Sequence, residues 1–221
     1  QKGTIDFRGT YRNTLGGGAR NIAENLARLD VATTLLSAVG VDGAGRRVIR
    51  WMRKVGVDCR HVRVVPEGRT ANFVSLTNER GEPTTTIYDT SIMEHVDANY
   101  LWKHEPLIEK AALLVIDATL SDEAIATAFE IADRYGVRVC ADPTTPTLAG
   151  KLRPYLNQMY LVIPNAAETT ALCDLQPVDR ESALEAARKL VSLGALIAVV
   201  TMGEIGVAYA HGSGSGFIRA K

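Results

Sequence analysis

Residues 15–29 read LGGGARNIAENLARL, and this stretch decides the fold that the rest of the sequence completes. Three glycines run into an Arg-Asn pair and then into a helical pattern. Ile22, Leu26 and Leu29 recur at i, i+4 and i+7, which predicts an amphipathic helix with one apolar face. The stretch is therefore interpreted as a glycine turn that begins a helix.

This glycine turn has the properties of a ligand-binding turn. Glycines let the backbone approach a ligand closely, and the start of a helix presents unpaired N–H groups. Arg20 and Asn21 add hydrogen-bonding side chains at its lip, which would suit a polyhydroxylated ligand such as a sugar. Spacing alone leaves a second interpretation equally open, in which the turn only begins a packed helix.

Length and composition narrow the class of protein. The 221 residues fit one domain, or one with a small appendage, and 46% hydrophobic residues can build a sizeable core. Lys and Arg total 25, as do Asp and Glu, so the charge balance argues against a nucleic-acid-binding or membrane-surface protein. The odd number of distant cysteines, with no signal peptide and no apolar run of 18 residues, predicts reduced thiols in a cytoplasmic protein.

The segments around the turn predict the first part of an α/β fold. Residues 5–9 resemble the tail of a strand, residues 31–39 a buried strand, and residues 48–55 an amphipathic helix stopped by Gly56. From residue 98 onward, helices and strands alternate, which predicts a mainly parallel sheet covered on both faces. The predicted helices and strands are helix 98–110, strand 112–116, a helix from Ser121 to Gly136, strands 137–141 and 160–163, helix 180–193 and strand 196–201. Residues 212–216, rich in glycine and serine, are predicted to be a flexible turn.

A different pattern occupies residues 62–90. Short strand candidates at 62–65, 70–77 and 84–88 are rich in Val, Thr, Phe and Tyr, and residues 78–83 are typical of a hairpin turn. We expect a small β-structure set apart from the main sheet. Its function is either that of a lid or dimer face, or that of an ordinary edge hairpin.

Polar residues follow the predicted strands, where open α/β sheets bind ligands. They are Asp117, Asp142, Asn165 and Thr201. Asn165 and Glu168, three residues apart, could hold a hydrated magnesium ion. They could equally form an N-terminal capping box, in which Asn165 caps the helix and Glu168 bonds back.

A second glycine turn, Thr201-Met-Gly-Glu-Ile-Gly206, follows the last predicted buried strand. Such a turn can hold nucleotide phosphates, and a tight hairpin into the next strand explains it as well.

These motifs together resemble the ribokinase-like (PfkB) carbohydrate kinases. GGGARNIAENLARL followed by LLSAVGVDGAG is similar to that family's first signature, PNAAE to its Asn-x-x-Glu motif and VTMGEIG to its Thr-x-Gly-x-x-Gly turn. The order and separations agree over nearly the whole sequence. Within the family, the first string is most similar to the pseudouridine kinases.

The resemblance implies a three-layer ribokinase-like α/β sandwich with a small β lid at about residues 62–90. It also implies ATP-dependent phosphorylation of a ribosyl hydroxyl, with Mg²⁺, a monovalent cation such as K⁺, and a homodimer formed through the lid. The residues it assigns to substrate are Asp6, Gly17, Gly18, Asn21 and Asp42. Those it assigns to metal and phosphate are Asn165 and Glu168, and those it assigns to nucleotide are Thr201, Gly203 and Gly206. The match of Asp6 is inexact, because it lies too few residues before the glycine turn.

The sequence departs from the family in one respect. The Gly-Ala-Gly-Asp box that holds the family's catalytic base lies downstream of the Thr-x-Gly turn and does not occur here; in Gly43-Ala44-Gly45 the aspartate precedes the glycines. We therefore expect residues 1–221, a single ribokinase-like domain, to lack its C-terminal part. Two other interpretations stay open. One is another sugar or nucleoside kinase of the family, and the other is a non-catalytic sugar-binding protein. A dinucleotide-dependent oxidoreductase is disfavoured because Gly-x-Gly-x-x-Gly is absent from the turn.

Overall fold

A computed structural model describes residues 9–10, 12–79 and 83–220, and ten strands form within them. They are β1 (Ala38–Gly40), β2 (Arg63–Val65), β3 (Asn72–Thr77), β4 (Pro83–Asp89), β5 (Leu113–Asp117), β6 (Arg138–Asp142), β7 (Met159–Val162), β8 (Ile197–Thr201), β9 (Gly206–His211) and β10 (Gly214–Arg219). The largest sheet has six strands in the order β10-β9-β8-β7-β6-β5. Strands β5 to β8 are parallel, and β9 and β10 are antiparallel.

Helices connect these strands and supply most of the apolar core. They are α1 (Gly18–Arg28), α2 (Gly43–Lys54), α3 (Ala98–Lys103), α4 (Glu105–Glu109), α5 (Asp122–Tyr135), α6 (Pro146–Ala149), α7 (Ala166–Cys173) and α8 (Arg180–Ser192). The main core joins the six-stranded sheet to helices such as α5 and α8, and a smaller core lies between α1, β1 and α2. The predicted α/β class, with its mainly parallel sheet, is confirmed.

Helix ends follow the predicted chemistry closely. Ser121 accepts a hydrogen bond from the Ala124 N–H, and Gly136 ends α5 in the left-handed region at φ 65°. Gly56, at φ 95°, follows the end of α2. The capping signals of the sequence therefore located these boundaries to within about a residue.

Several predicted boundaries were wrong. Helix 98–110 is two helices, α3 and α4, because Pro106 lies in the first turn of α4 and has no N–H to continue α3. Strand 31–39 is reduced to β1, with a single isolated bridge between Thr34 and Asp58 before it. Residues 212–216 are only partly a turn, because β10 begins at Gly214 and pairs with β9.

The apolar face predicted for α1 also differs. Ala23 is the residue that α1 buries, whereas Leu29 is 74% exposed. Leu29 lies at the C-cap, beyond the last helical turn, so it no longer follows the face that Ile22 and Leu26 define. The small side chain of Ala23 packs in the smaller core, so α1 lies close to that core.

The β-rich section divides between two sheets. Strand β2 pairs in parallel with β1, whereas β3 and β4 form a separate antiparallel ribbon. Thus the start of the section predicted as a lid, residues 63–65, lies beside β1, and residues 72–89 contain the ribbon. All residues of β3 are exposed.

No helix in the described part of the chain is both long and apolar enough to cross a membrane. The three cysteines, Cys59, Cys140 and Cys173, are buried free thiols, as expected. Burial raises the pKa of each thiol.

Candidate functional site

The glycine turn is capped by a carboxylate from another part of the chain. Gly17 occupies the N-cap position of α1 at φ 102°, where no side chain can cap the helix from within. Instead, Asp117 at the end of β5 accepts a hydrogen bond from the Ala19 N–H at 3.3 Å. The positive end of the α1 dipole thus faces the carboxyl edge of the sheet.

Asp142, at the end of β6, lies directly against Gly18. A Cβ built on Gly18 would overlap the Asp142 carboxylate and would come within 3.9 Å of the Asp117 Cβ. Burial raises the pKa of Asp142, and the neighbouring charge of Asp117 raises it further. Gly18 therefore lacks a side chain because this carboxylate fills the space.

A cavity of about 490 Å³ opens beside the turn. Most of its lining surface is apolar and includes Leu35 and Ile116. Its polar residues come from several segments, among them the residues before the glycine turn, α2 and the ends of β5 and β6. The polar lining residues are Asn13, Thr14, Arg20, Ser37, Arg47, Thr70, Asn72, Thr90, Asp117, Thr119, Asp142 and Thr144. A mainly apolar cavity with polar groups in its lining is typical of a small-molecule site.

The cavity includes only part of the predicted substrate set. Gly17 and Gly18 line it. Asn21 is exposed and lies outside the lining, and its Oδ1 accepts a hydrogen bond from Arg20. Asp42 borders the cavity indirectly: it caps α2 through the Gly45 N–H and accepts hydrogen bonds from the N–H and hydroxyl of Thr70, a lining residue. Asp6 lies outside the described residues.

Two lining threonines, Thr119 and Thr144, were not predicted as site residues, although a repeated pattern marks them. Asp117 is followed by Thr119 and Asp142 by Thr144, an Asp-x-Thr sequence after each of two neighbouring strands. Each aspartate accepts a hydrogen bond from the N–H of its threonine, at 3.0 and 2.9 Å. Thr144 also has φ 65°, which is unusual for a β-branched residue, and its hydroxyl receives the Ala118 N–H. The Ala118–Thr144 bond joins the two strand ends, and the two Asp–Thr bonds fix the turn after each strand.

Asn165 and Glu168 form the capping box that was one of their two predicted interpretations. The Asn165 Oδ1 accepts from the Glu168 N–H, and both Glu168 oxygens accept from Asn165, one from its backbone N–H and one from its side-chain amide. Glu168 is only 5% exposed. Burial raises the pKa of Glu168, and the charge of Asp142 adds to this effect.

Negative charge is concentrated at the ends of β5 and β6 and at the start of α7. None of the ion pairs in the described part of the chain involves Asp117, Asp142 or Glu168. No three His, Cys, Asp or Glu residues within residues 9–10, 12–79 and 83–220 are close enough together to hold a metal directly. A site that offers a metal ion carboxylates but few direct ligands fits a hydrated Mg²⁺, because this ion keeps several of its waters.

The second glycine turn is a hairpin connection. Gly203 and Gly206 have φ 56° and 135°, and a short 3₁₀ segment, Gly203–Ile205, joins β8 to β9. Gly206 can have no side chain because the Ile218 carbonyl occupies that space. Thr201, at the end of β8, donates its N–H to the Pro164 carbonyl and forms a bridge with Asn165. The two motifs that follow β7 and β8 are therefore in contact.

Comparison with known proteins gives a consistent picture. Residues 4–221 match the model of the pfkB family carbohydrate kinases. The chain is 34% identical to the pseudouridine kinase of Escherichia coli (strain K12) over 206 residues, which cover 93% of the chain and 65% of that protein. It is 24% identical to the ribokinase of Staphylococcus aureus (strain COL), over 93% of the chain and 66% of that protein.

Solved structures share the fold. The solved structure of a putative ribokinase II from E. coli, in complex with ATP and Mg²⁺, matches this chain with a TM-score of 0.79 at 20% sequence identity. The match covers all of this chain and 73% of that one. The chain spans a little under two thirds of the length of the E. coli pseudouridine kinase and of the S. aureus ribokinase. With the family model matching almost every residue, the chain belongs to the pfkB family of carbohydrate kinases.

Proposed function

We propose that the protein transfers a phosphoryl group from ATP to a ribosyl hydroxyl of a nucleoside, with pseudouridine as the substrate. The observation that carries this proposal is the position of the cavity. It opens between the glycine turn and the carboxyl ends of β5 and β6. The choice of pseudouridine is supported by the 34% identity to the E. coli pseudouridine kinase.

The order of strands suggests how the substrates would be arranged. The ends of β5 and β6 border the cavity, Asn165 follows β7, and Thr201 ends β8. Neighbouring parallel strands are about 5 Å apart, so these ends form a row of roughly 15 Å. A nucleoside at β5 and β6, magnesium and phosphates at β7, and nucleotide at β8 would fit this row in that sequence.

Within the cavity, hydrogen-bonding groups would orient the sugar. The backbone at Gly17 and Gly18 permits close contact, and the carboxylates of Asp117 and Asp142 can accept hydrogen bonds from hydroxyls. We propose that Asn21 joins them by turning its amide away from Arg20 when the sugar binds. Asp42 would act by holding Thr70 in place.

Charge stabilisation would come from the neighbouring strand ends. Phosphoryl transfer requires mostly positioning and neutralisation of charge on the transferred group. Mg²⁺ supplies that neutralisation when bound, and a monovalent cation such as K⁺ could add to it. Glu168 and Asn165 would hold the waters of the ion, and the backbone at Thr201, Gly203 and Gly206 would face the nucleotide phosphates.

The β3–β4 ribbon has two faces that suit two roles. Phe73 lines the cavity and stacks on Tyr88 at 5.4 Å between ring centroids. On the opposite face lie Val74 and Leu76, with Ile87 paired to Val74. We propose that the first face closes over the substrate and that the second face pairs with another subunit.

The test is a coupled phosphorylation assay of the full-length protein with ATP and Mg²⁺. We expect the highest kcat/KM on pseudouridine among pseudouridine, uridine, adenosine, inosine and ribose. Preference for another of these substrates would overturn the pseudouridine assignment and leave the kinase assignment intact. The cytoplasmic location stays a prediction, which fractionation of cells would check.

The alternative to a kinase is a protein that binds the nucleoside and does not phosphorylate it. Calorimetry separates the two functions: binding of pseudouridine without turnover by the full-length protein would establish the binding protein. Turnover would exclude it.

A further inference from the structure

The outer side of the glycine turn carries a concentrated positive charge. Helix α2 contains five basic residues and no acidic one, although the whole chain has equal numbers of both. The five are Arg46, Arg47, Arg50, Arg53 and Lys54. The excess of basic over acidic residues is therefore a local property of helix α2.

Three of these residues line a cleft between α1 and α2. Arg47, Arg50 and Lys54 recur at i, i+3 and i+7, so they share one face of the helix with Trp51. The cleft has a volume of about 600 Å³, and residues 13–15 and Arg20 contribute its other wall. Its volume suits a ligand of nucleotide size.

The one carboxylate in this cleft is already committed to other partners. Glu24 accepts hydrogen bonds from Arg20 at 2.6 Å, from Arg28 and from the Trp51 indole N–H. The Arg20 and Arg28 contacts lower the pKa of Glu24 to about 2. Its charge is thus balanced within α1, by Arg20 and Arg28, and not by a cation of α2.

The remaining cations of the cleft are Arg47, Arg50 and Lys54, and Arg47 donates a hydrogen bond to the Asn13 Oδ1. None of the ion pairs among residues 12–79 and 83–220 involves Arg47, Arg50 or Lys54. Lys54 lies 5.6 Å from the centre of the Trp51 ring. Like charges at this spacing on a helix repel each other, and a bound anion would relieve that repulsion. Guanidinium groups favour phosphate because they can donate two parallel hydrogen bonds to it.

This cleft adjoins the proposed substrate cavity, because residues 13–15, Arg20 and Arg47 line both, and Arg20 also contacts the glycine turn. Arg20 donates hydrogen bonds to the Gly16 carbonyl at 2.9 Å and to the Leu15 carbonyl at 3.3 Å. An anion in the cleft would compete with Glu24 for the Arg20 guanidinium. Such a ligand would thereby change the support of the glycine turn.

We propose that this cleft is a regulatory site for a multiply charged phosphate compound, such as a nucleoside polyphosphate. Binding there alters the affinity of the glycine turn for its substrate through Arg20. Ligand binding in the cleft stands on the charges and the cavity alone, whereas the coupling rests on the proposed function. By linkage, the substrate and the anion must change each other's affinity by the same factor.

Inorganic pyrophosphate is the probe, titrated into the full-length protein at low salt and followed by calorimetry. The test variant is Arg50→Gln with Lys54→Gln. Its matched control is Arg46→Gln with Arg53→Gln, which removes the same charge from exposed positions of the same helix outside the cleft. We expect about a tenfold or greater loss of pyrophosphate affinity in the test variant, as for a lost charge-assisted contact, and less than about threefold in the control.

Equal losses in both variants would overturn the site, because a general field would then explain the attraction. Unchanged affinity in the test variant would also overturn it, because pyrophosphate would then bind outside the cleft. A second titration measures pseudouridine or ribose affinity with and without pyrophosphate. If pyrophosphate binds the cleft and substrate affinity does not change, the regulatory role is wrong while the anion site remains. If no substrate binds under any condition, the proposed function fails and the pyrophosphate result still decides the site.

Discussion

Asp142 occupies the space that a side chain on Gly18 would need. The two residues are 124 positions apart in the sequence, yet their contact joins the glycine turn to the end of β6. In the sequence, close approach of a ligand accounts for a glycine at this position. The structure adds a second reason, because the Asp142 carboxylate itself excludes a Cβ there.

Replacing Gly18 with alanine should therefore disrupt the turn even without ligand. The overlap requires the Asp142 carboxylate or the turn to shift, so we expect Gly18→Ala to lower the free energy of unfolding by roughly 1–3 kcal/mol. Gly16→Ala is the matched control, because a Cβ on Gly16 meets nothing within 4 Å. Urea denaturation of the two variants gives the comparison, and equal stabilities would show that the Asp142 contact does not constrain the turn.

The Asp142 carboxylate should also leave a signature in the pH dependence of stability. Because burial raises its pKa above the usual 3.8, the native state keeps a proton that the unfolded chain releases just above that pH. The contribution of Asp142 to the free energy of unfolding therefore falls as pH rises through this window. Asp142→Asn removes that fall, so we expect the variant to be at least as stable as the parent at pH 7. Denaturation series between pH 3 and 8 would measure the free energy of unfolding of the parent and of Asp142→Asn.

Asp58 provides a control of opposite sign. Arg60 lowers the pKa of Asp58 to about 2, so its stabilisation is present above 3.8 and disappears as pH falls toward 2. Asp58→Asn should cost less than about 1 kcal/mol at neutral pH, because solvent screens this exposed pair. If Asp142→Asn and Asp58→Asn shift stability in the same direction at pH 7, the effect assigned to the burial of Asp142 is incorrect.

Local signals predicted the parts of this fold that depend on local chemistry. The caps at Ser121 and Gly136 and the alternation of strands and helices follow from side-chain pattern and backbone preference. The break at His104 was missed because helical periodicity outweighed Pro106 in the pattern. Strand 31–39 was overestimated because apolar β-branched residues mark burial as well as strand pairing.

The site was harder to predict because its contacts connect distant segments. Asp117 and Asp142 were identified from their places after strands, but their contacts with Ala19 and Gly18 join elements about 100 residues apart. No periodicity within one helix or strand carries that information. Asn21 also lies outside the cavity lining and accepts a hydrogen bond from Arg20, a contact that spacing alone does not specify.

Glu168→Gln separates the two roles of the capping box. Both Glu168 oxygens accept hydrogen bonds, and a glutamine can accept through one oxygen only. We expect a loss of about 1–3 kcal/mol in the free energy of unfolding. If Glu168 also organises magnesium, turnover of the full-length protein should fall roughly 10²-fold, with a raised requirement for Mg²⁺ and little change in substrate affinity.

Ser182→Ala is the matched variant for this experiment. Ser182 completes the capping box of α8, so its loss should cost about 1 kcal/mol without changing the magnesium requirement. A Glu168→Gln protein that is destabilised but keeps its turnover and its Mg²⁺ dependence would leave Glu168 with a structural role alone.

The outward face of the ribbon leads to a prediction about assembly. Ile87 is 65% exposed, and Val74 and Leu76 share its face of the ribbon with 45% and 58% exposure. In a two-fold dimer the same patch meets its own copy, so a charge placed there confronts an identical charge. We expect the parent protein to be a dimer and Ile87→Lys to weaken the dimer at least about 100-fold, since such charges cost several kcal/mol.

Ile218 supplies the control for this prediction, because it is equally exposed, at 62%, and lies on β10 at the far edge of the main sheet. Ile218→Lys adds the same charge and should leave the dimer intact. Sedimentation velocity across a concentration series distinguishes the outcomes. A monomeric parent would contradict the dimer. A dimer lost in Ile218→Lys and retained in Ile87→Lys would move the interface to the β10 edge, and the ribbon would then keep only its proposed role over the cavity, where Phe73 lies.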